Sequence, residues 1–312
     1  MKIFKIALII MCILILVFFV VMLVIGNYLY NFAIASNTSK DEIFQKNSEE
    51  DILSEEEING RWIEENSENT YIRTNDNLKL HSYEIKHLNS NLWTIIVHGY
   101  GGQGIDMGNY AQNFYQKGYN VLVVDLRGSG LSEGDYLGMG WIDRLDILEW
   151  INYLIEKDEN CEIILFGVSM GASTVMMTSG EDLPKNVKLA IEDCGYTSVW
   201  NEFEYQLEKI FNLNSFPFLN IASLVTKIRA GYFLSEASAT KQLEKTKIPI
   251  LFIHGDRDDF VPSYMVKENY KSTSGEKELL IVKGAEHANS SKIAPTLYWN
   301  TVDKFIKKYI NT

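Results

Sequence analysis

The sequence predicts an α/β fold: a mostly parallel sheet flanked by helices, with an inserted helical cap and one transmembrane helix in front. Three observations carry the prediction. From Thr70 onward, short β-branched and aromatic runs alternate with stretches of helical periodicity. Several of those runs, such as Ile163-Ile164-Leu165-Phe166, are apolar without a break, which a sheet covered on both faces requires. The N-terminus is an uncharged apolar run from Ile6 to Ile25.

That first run spans roughly 30 Å at about 1.5 Å per residue, the hydrocarbon thickness of a bilayer. Tyr28 and Tyr30 follow where an interfacial aromatic belt would sit. Lys2 and Lys5 should stay cytoplasmic, which places everything after residue 30 outside the cell membrane. Residues 1–30 therefore read as a signal anchor, with residues 6–25 in the membrane. The rival reading is secretion after cleavage near Ala35, at the A-x-A-like Ala33-Ile34-Ala35. Against it, the apolar run exceeds a signal peptide's usual length and ends well before that site.

Residues 31–69 read as an acidic stalk or linker. From Asp41 to Glu68 eleven acidic residues face two basic ones, Lys46 and Arg61, so this stretch carries −9 of the chain's −12. The acidity thus describes a segment and says little about substrate. It also disfavours nucleic acid as a partner, since phosphate binding needs clustered Lys and Arg. Scattered apolar positions (Ile43, Phe44, Ile52, Leu53, Ile58, Trp62, Ile63) have roughly helical spacing, and Trp62 and Ile63 are expected to dock on the domain edge.

Residues 70–312 form the main domain. Strands are expected at 71–73, 78–85, 93–97, 121–124, 162–166, 189–192, 248–253 and 279–282, and helices at 107–117, 142–156, 170–179, 263–272 and 294–310. Two early hairpin-like strands followed by βαβ units give a parallel sheet with an antiparallel edge. The rhythm breaks between Gly195 and Lys247, a stretch rich in aromatic residues, among them Trp200, Phe203, Tyr205, Phe211 and Phe216, which reads as a helical cap at about 197–245. Cys161 opens one strand and Cys194 closes the next, too far apart for a bridge, so free thiols and no metal site are expected.

The strongest local signal is Gly167-Val168-Ser169-Met170-Gly171, with a strand before it and a helix after, the context of a nucleophile elbow. A serine hydroxyl needs a base and an oriented imidazole. Of five histidines, His81 and His87 precede the parallel core and read as surface residues, while His98 and His254 end strands and should bond loop backbone. His287, between the last strand and the last helix, is the candidate base. The candidate acid is Asp258 in His254-Gly255-Asp256-Arg257-Asp258-Asp259; Asp256 and Asp259 should shape the turn or face solvent, and Asp193 is the alternative. An oxyanion hole would draw on the backbone N–H of Tyr100, in His98-Gly99-Tyr100-Gly101-Gly102, and of Met170.

Taken together, HGYGG at 98–102, DLRGSGLSEG at 125–134, GVSMGA at 167–172, HGDRDDFVP at 254–262 and GAEH at 284–287 closely resemble α/β-hydrolases. More narrowly they are similar to the bacterial branch labelled serine aminopeptidase S33-like, many of whose members carry an N-terminal membrane segment. The resemblance covers roughly residues 70–312. It implies the α/β-hydrolase fold, a cap and a Ser169–His287–Asp258 triad without a cofactor. It does not fix a substrate, because one fold hosts many chemistries. Serine at the elbow and an aromatic cap give carboxylic-ester hydrolysis through an acyl-serine the lead, on a small apolar acyl substrate. Peptidase, acyltransferase and a non-catalytic binding module stand behind it. A peptidase would need an acidic cap residue aimed at a substrate amine.

Overall fold

A computed structural model describes residues 2–38, 40 and 55–310 of the chain. Eight strands form one sheet in the order β1-β2-β4-β3-β5-β6-β7-β8. They are β1 (Glu68–Arg73), β2 (Lys79–Ile85), β3 (Leu92–Val97), β4 (Asn120–Val124), β5 (Glu162–Val168), β6 (Val187–Asp193), β7 (Ile250–Gly255) and β8 (Lys277–Val282). The β1/β2 and β2/β4 pairs are antiparallel and every other pair is parallel. All eight expected strands are present, with ends displaced by up to three residues from the sequence expectation for β1.

The apolar runs explain the layering. Every residue of β4 is buried, because helices cover both faces of the sheet at that strand. On one face lie α2 (Glu55–Asn66), α3 (Gly108–Gln116) and α11 (Pro295–Tyr309), which bury Ile63, Phe114 and Phe305. The other face carries α4 (Asp143–Lys157), α5 (Met170–Ser179) and α9 (Tyr264–Ser272), through Trp150, Met176 and Met265. Between β6 and β7 the cap contributes α6 (Val199–Phe211), α7 (Phe218–Ala230) and α8 (Ala239–Leu243); α10 (Ser290–Ile293) precedes α11. Trp62 meets Tyr115 of α3 edge to face, at 5.7 Å between ring centroids. The cysteines are free thiols, Cys161 and Cys194 both buried.

The N-terminal helix α1 (Lys2–Ala33) is long and apolar enough to cross a membrane over Ile3–Ala33. It runs directly into the domain. Ile34 and Ala35 are buried, the Leu137 N–H donates to Ile34 O at 2.8 Å, and Ser36 Oγ donates to Gly134 O at 3.0 Å. Lys40 Nζ reaches back to the carbonyls of Phe32 (2.9 Å) and Ala35 (2.8 Å), at the end of α1. Helix C-termini leave carbonyls without intrahelical partners and favour a cation. Burial lowers that ammonium's pKa to about 8. Of the two tyrosines expected at a membrane interface, Tyr28 is exposed and Tyr30 is buried. Residues 39 and 41–54, with Ile43, Phe44, Ile52 and Leu53 of the expected stalk, lie outside the described residues.

One histidine expectation is corrected. His81 is fully buried rather than on the surface, because β1 extends the sheet beyond β2 and makes β2 an inner strand. Its Nδ1 lies 2.7 Å from Asp125 Oδ2, and Nε2 lies 2.7 Å from Asn69 Oδ1.

Candidate active site

Ser169 occupies the single position between β5 and α5, at φ 57 and ψ −118. A non-glycine residue in that region is strained, and the surrounding packing must hold it there. The two glycines of the elbow show how. A Cβ on Gly167 would fall 2.2 Å from Gly171 O, and one on Gly171 would fall 2.1 Å from Val97 O. The turn is thus closed against itself and against β3, and no larger residue fits either place.

His287 follows β8 in the loop before α10. Its Nε2 lies 2.8 Å from Ser169 Oγ and its Nδ1 lies 2.8 Å from Asp258 Oδ2. Asp258 sits in the loop after β7, where Oδ1 accepts the N–H groups of Phe260 (3.0 Å) and Val261 (2.9 Å). Burial alone would raise this carboxyl's pKa, but the hydrogen bonds of His254 and His287 outweigh it and hold the group at about 2. Asp258 is therefore a carboxylate at neutral pH, fit to fix an imidazole's tautomer. The Phe260 ring packs beside His287 at 4.9 Å between centroids.

The other candidates are accounted for one by one. His254 Nε2 bonds Val261 O at 2.9 Å, and His98 bonds the Gly99 carbonyl through Nδ1 and accepts the Leu126 N–H through Nε2, both on loop backbone as expected. Asp256 accepts the Gly284 N–H at 2.6 Å, while Asp259 is exposed. Asp193 is buried, and burial pushes its pKa up to about 6; the carboxylate that meets His287 belongs to Asp258.

The loop at 98–102 lies against Ser169, since a Cβ on Gly99 would sit 3.3 Å from Ser169 Cβ. Gly104 N donates to Asp125 Oδ1 at 2.6 Å, and Asp125 also accepts the Leu131 N–H and faces His81. The DLRGSG run therefore positions this loop. Its Arg127 makes a buried fork to Asp146, with Nε–Oδ2 and Nη2–Oδ1 both at 2.7 Å. Met170 opens α5, so its amide belongs to the helical turn that lacks intrahelical acceptors.

Two cavities meet at Ser169. One is almost wholly apolar and lies between the cap and α1; Leu29, Phe32, Phe203, Leu207 and Leu219 line it. The other is open and of mixed polarity, and includes Gln103, Asp106, Asn109, Ser129, His287 and Lys292. Glu202 of α6 also faces the apolar cavity. It is 4% exposed, Oε1 accepts from Gln206 Nε2, and Oε2 has no hydrogen-bond partner. Burial raises its pKa to about 8. Neither Glu202 nor the α1 wall stands out in the sequence, because the first looks like one more polar residue on a helix and the second like plain membrane helix. Cys194, Asp258 and His287 bring donor atoms within 4.8 Å of one another. That set offers a metal one buried thiol, whose pKa burial raises, and two groups already bonded to each other.

The fold and the strand–elbow–helix site define a member of the α/β-hydrolase superfamily, and the chain belongs to it. Within that class, residues 92–210 match the family model of serine aminopeptidase, S33. An uncharacterized Bacillus subtilis protein, YqkD, is 30% identical over 269 residues, covering 84% of this chain and 88% of its own. Among solved structures, the Pyrococcus furiosus esterase Pf2001 is similar with a TM-score of 0.66 and 23% identity, over 80% of this chain and 93% of that one. The Pyrococcus horikoshii acylaminoacyl peptidase is similar with a TM-score of 0.59 and 19% identity, over 80% and 43%.

Proposed function

We propose that this protein is a membrane-anchored serine hydrolase that cleaves a carboxylic ester, with Ser169, His287 and Asp258 as its triad. The observation that carries the reading is the unbroken relay Asp258 Oδ2–His287 Nδ1 and His287 Nε2–Ser169 Oγ, each 2.8 Å, opening onto an apolar cavity. In the first half-reaction Ser169 Oγ adds to the ester carbonyl carbon as its proton passes to His287 Nε2. The carbonyl oxygen becomes an oxyanion, for which the N–H groups of Met170 and Tyr100 are the proposed donors. Collapse breaks the bond to the alkoxy oxygen, which takes the proton from His287 and leaves as the alcohol. Water, deprotonated by His287, then adds to the acyl-serine and releases the acid and Ser169.

We divide the chain into an anchor at 1–30, an acidic connecting segment at 31–69 and the hydrolase domain at 70–312, with a cap at about 197–245. The apolar helix is read as retained, because Ala35, at the cleavage-like site, is buried and bridges Tyr136. Lysines before the span favour an extracytoplasmic domain.

One observation favours a second reading, an aminopeptidase. Glu202 is an acidic cap residue in the same cavity, as recognition of a substrate amine would require. A group held neutral by burial, in a cavity that Phe203, Leu207 and Leu219 also line, suits an apolar acyl chain better, so the ester stays first.

The test is fluorophosphonate labelling of the full chain in detergent, located by mass spectrometry, beside panels of p-nitrophenyl esters and aminoacyl anilides. Labelling at Ser169 with ester turnover is expected. Ser169→Ala should abolish both while leaving thermal unfolding nearly unchanged. Turnover retained in Ser169→Ala would refute the site, and anilide turnover without ester turnover would promote the peptidase.

A further inference from the structure

Leu29, Phe32 and Ile34, in the last turn of the apolar N-terminal helix and just past it, line the same cavity as Ser169. Tyr100 of the Gly-rich loop ties in there too, its Oη donating to Ala33 O at 2.7 Å. The helix that would anchor the protein is thus a wall of the acyl site, and Leu29 stands only four residues beyond the apolar run that ends at Ile25. At about 1.5 Å per residue that is roughly 6 Å along the axis.

The cap follows the helix down toward the membrane. A Cβ on Gly26 would collide with Ile221 of α7 at 2.3 Å and meet Val225 at 3.1 Å, so these helices touch backbone to side chain. Further along α7, Arg229 bonds Asn27 Oδ1 (2.8 Å) and Asn31 Oδ1 (2.7 Å) and lies over the Tyr30 ring. Ascending α7 from Ile221 to Arg229 therefore ascends α1 from Gly26 to Asn31. The start of α7, preceded by Phe216, consequently lies on the side of Met22, inside the apolar run. Met22 is 5% exposed where its neighbours Val21 and Leu23 are 50% and 45%, as a helix covered at that level demands. Yet Phe216 is 76% and Ile228 72% exposed, with Leu224, one turn before Ile228, at 41%. Large apolar side chains left open beside a membrane span find their cover in the bilayer.

Resting on the ester-hydrolase reading above, we propose that the substrate is an amphiphilic acyl ester taken from the membrane itself. Its acyl chain lies in the apolar cavity against Leu29 and Phe32, its polar head lies in the open cavity beside Asn109 and Ser129, and α7 is seated in the bilayer interface. The two cavities that meet at Ser169 differ in polarity as the two ends of such a molecule do.

The experiment uses the full chain in phosphatidylcholine vesicles. Leu29→Trp fills the α1 wall, and Ser169 labelling by a fluorophosphonate reports that the variant is folded. The ratio of kcat/KM for a dodecanoyl ester to that for an acetyl ester should fall about tenfold or more in the variant, the scale of a lost fit in an apolar pocket. A ratio that stays at the wild-type value in a labelled variant overturns this inference and leaves the esterase standing. A wild type that labels but cleaves neither ester takes down both. Seating is read without turnover: Phe216→Trp should gain fluorescence that is quenched by vesicle lipids brominated in the upper acyl chain. Quenching no greater than in the wild-type protein refutes the seating of α7.

Discussion

Glu202→Gln probes the apolar cavity through folding stability. The native carboxyl has a pKa of about 8 against an ordinary 4.5. The native state therefore binds the proton more tightly than the unfolded chain does, and stability must fall as pH rises from the lower value to the higher. The sign is opposite to that of a salt-bridged carboxylate. With those two pKa values the linkage cost is about 1 kcal/mol at pH 5 and about 3 kcal/mol at pH 7. Glutamine keeps the shape and the contact with Gln206 but cannot ionise. Relative to wild type, the variant should therefore gain about 2 kcal/mol between pH 5 and pH 7, or roughly 4–8 °C in Tm for a domain of this size.

The assay is thermal unfolding by tryptophan fluorescence of both proteins in the same detergent across that range. Comparing variant with wild type cancels the other buried acids that share the trend, Glu192 with a pKa of about 8 and Asp143 with one of about 7. A Tm difference that does not change with pH would mean that Glu202 is solvated or paired in the native protein. The reasoning that makes the cavity a site for an apolar chain would then fail.

The other expectations concern the relay and the loop that supports it. Asp258→Asn should lower kcat by about 10⁴-fold, since the amide cannot hold the imidazole in the tautomer that accepts a proton from Ser169. The wild type should also lose about 2 kcal/mol as pH falls from about 4 to about 2, because the carboxyl's pKa is about 2 in the fold. The variant should lack that step, as pH-resolved unfolding would show. Arg127→Met leaves Asp146 buried without its fork, which should cost about 3–5 kcal/mol of stability; a Tm within two degrees of wild type would refute this account of the pair.

The parallel core was legible because its strands are continuous apolar runs broken by glycine turns, and β4 and β5 leave no alternative periodicity. The triad candidates were legible for a related reason: each stands at the C-terminal end of a strand or in the loop that follows, where a parallel sheet gathers its chemistry. His81 was not, because whether β2 is an edge or an inner strand depends on pairing with β1, and pairing is a property of two segments at once. The same applies to Glu202, whose buried face is set by where α6 lands on the cavity.

The N-terminal helix shows the limit most clearly. Hydropathy identifies a span, and to hydropathy every apolar face is equivalent, yet the buried positions Met22, Gly26, Tyr30 and Ile34 make a stripe at helical spacing. Gly26 is the one position in that stripe with a readable oddity, a small residue where any larger one would suit a lipid-facing helix. Its reason lies almost two hundred residues later, in Ile221. The chain therefore stores part of the cavity beside Ser169 in a segment that reads as a tether. A fragment begun after that segment would retain the relay of Ser169, His287 and Asp258 but lack the wall formed by Leu29 and Phe32. On this argument such a fragment should keep the reactive serine and lose the discrimination among acyl chains.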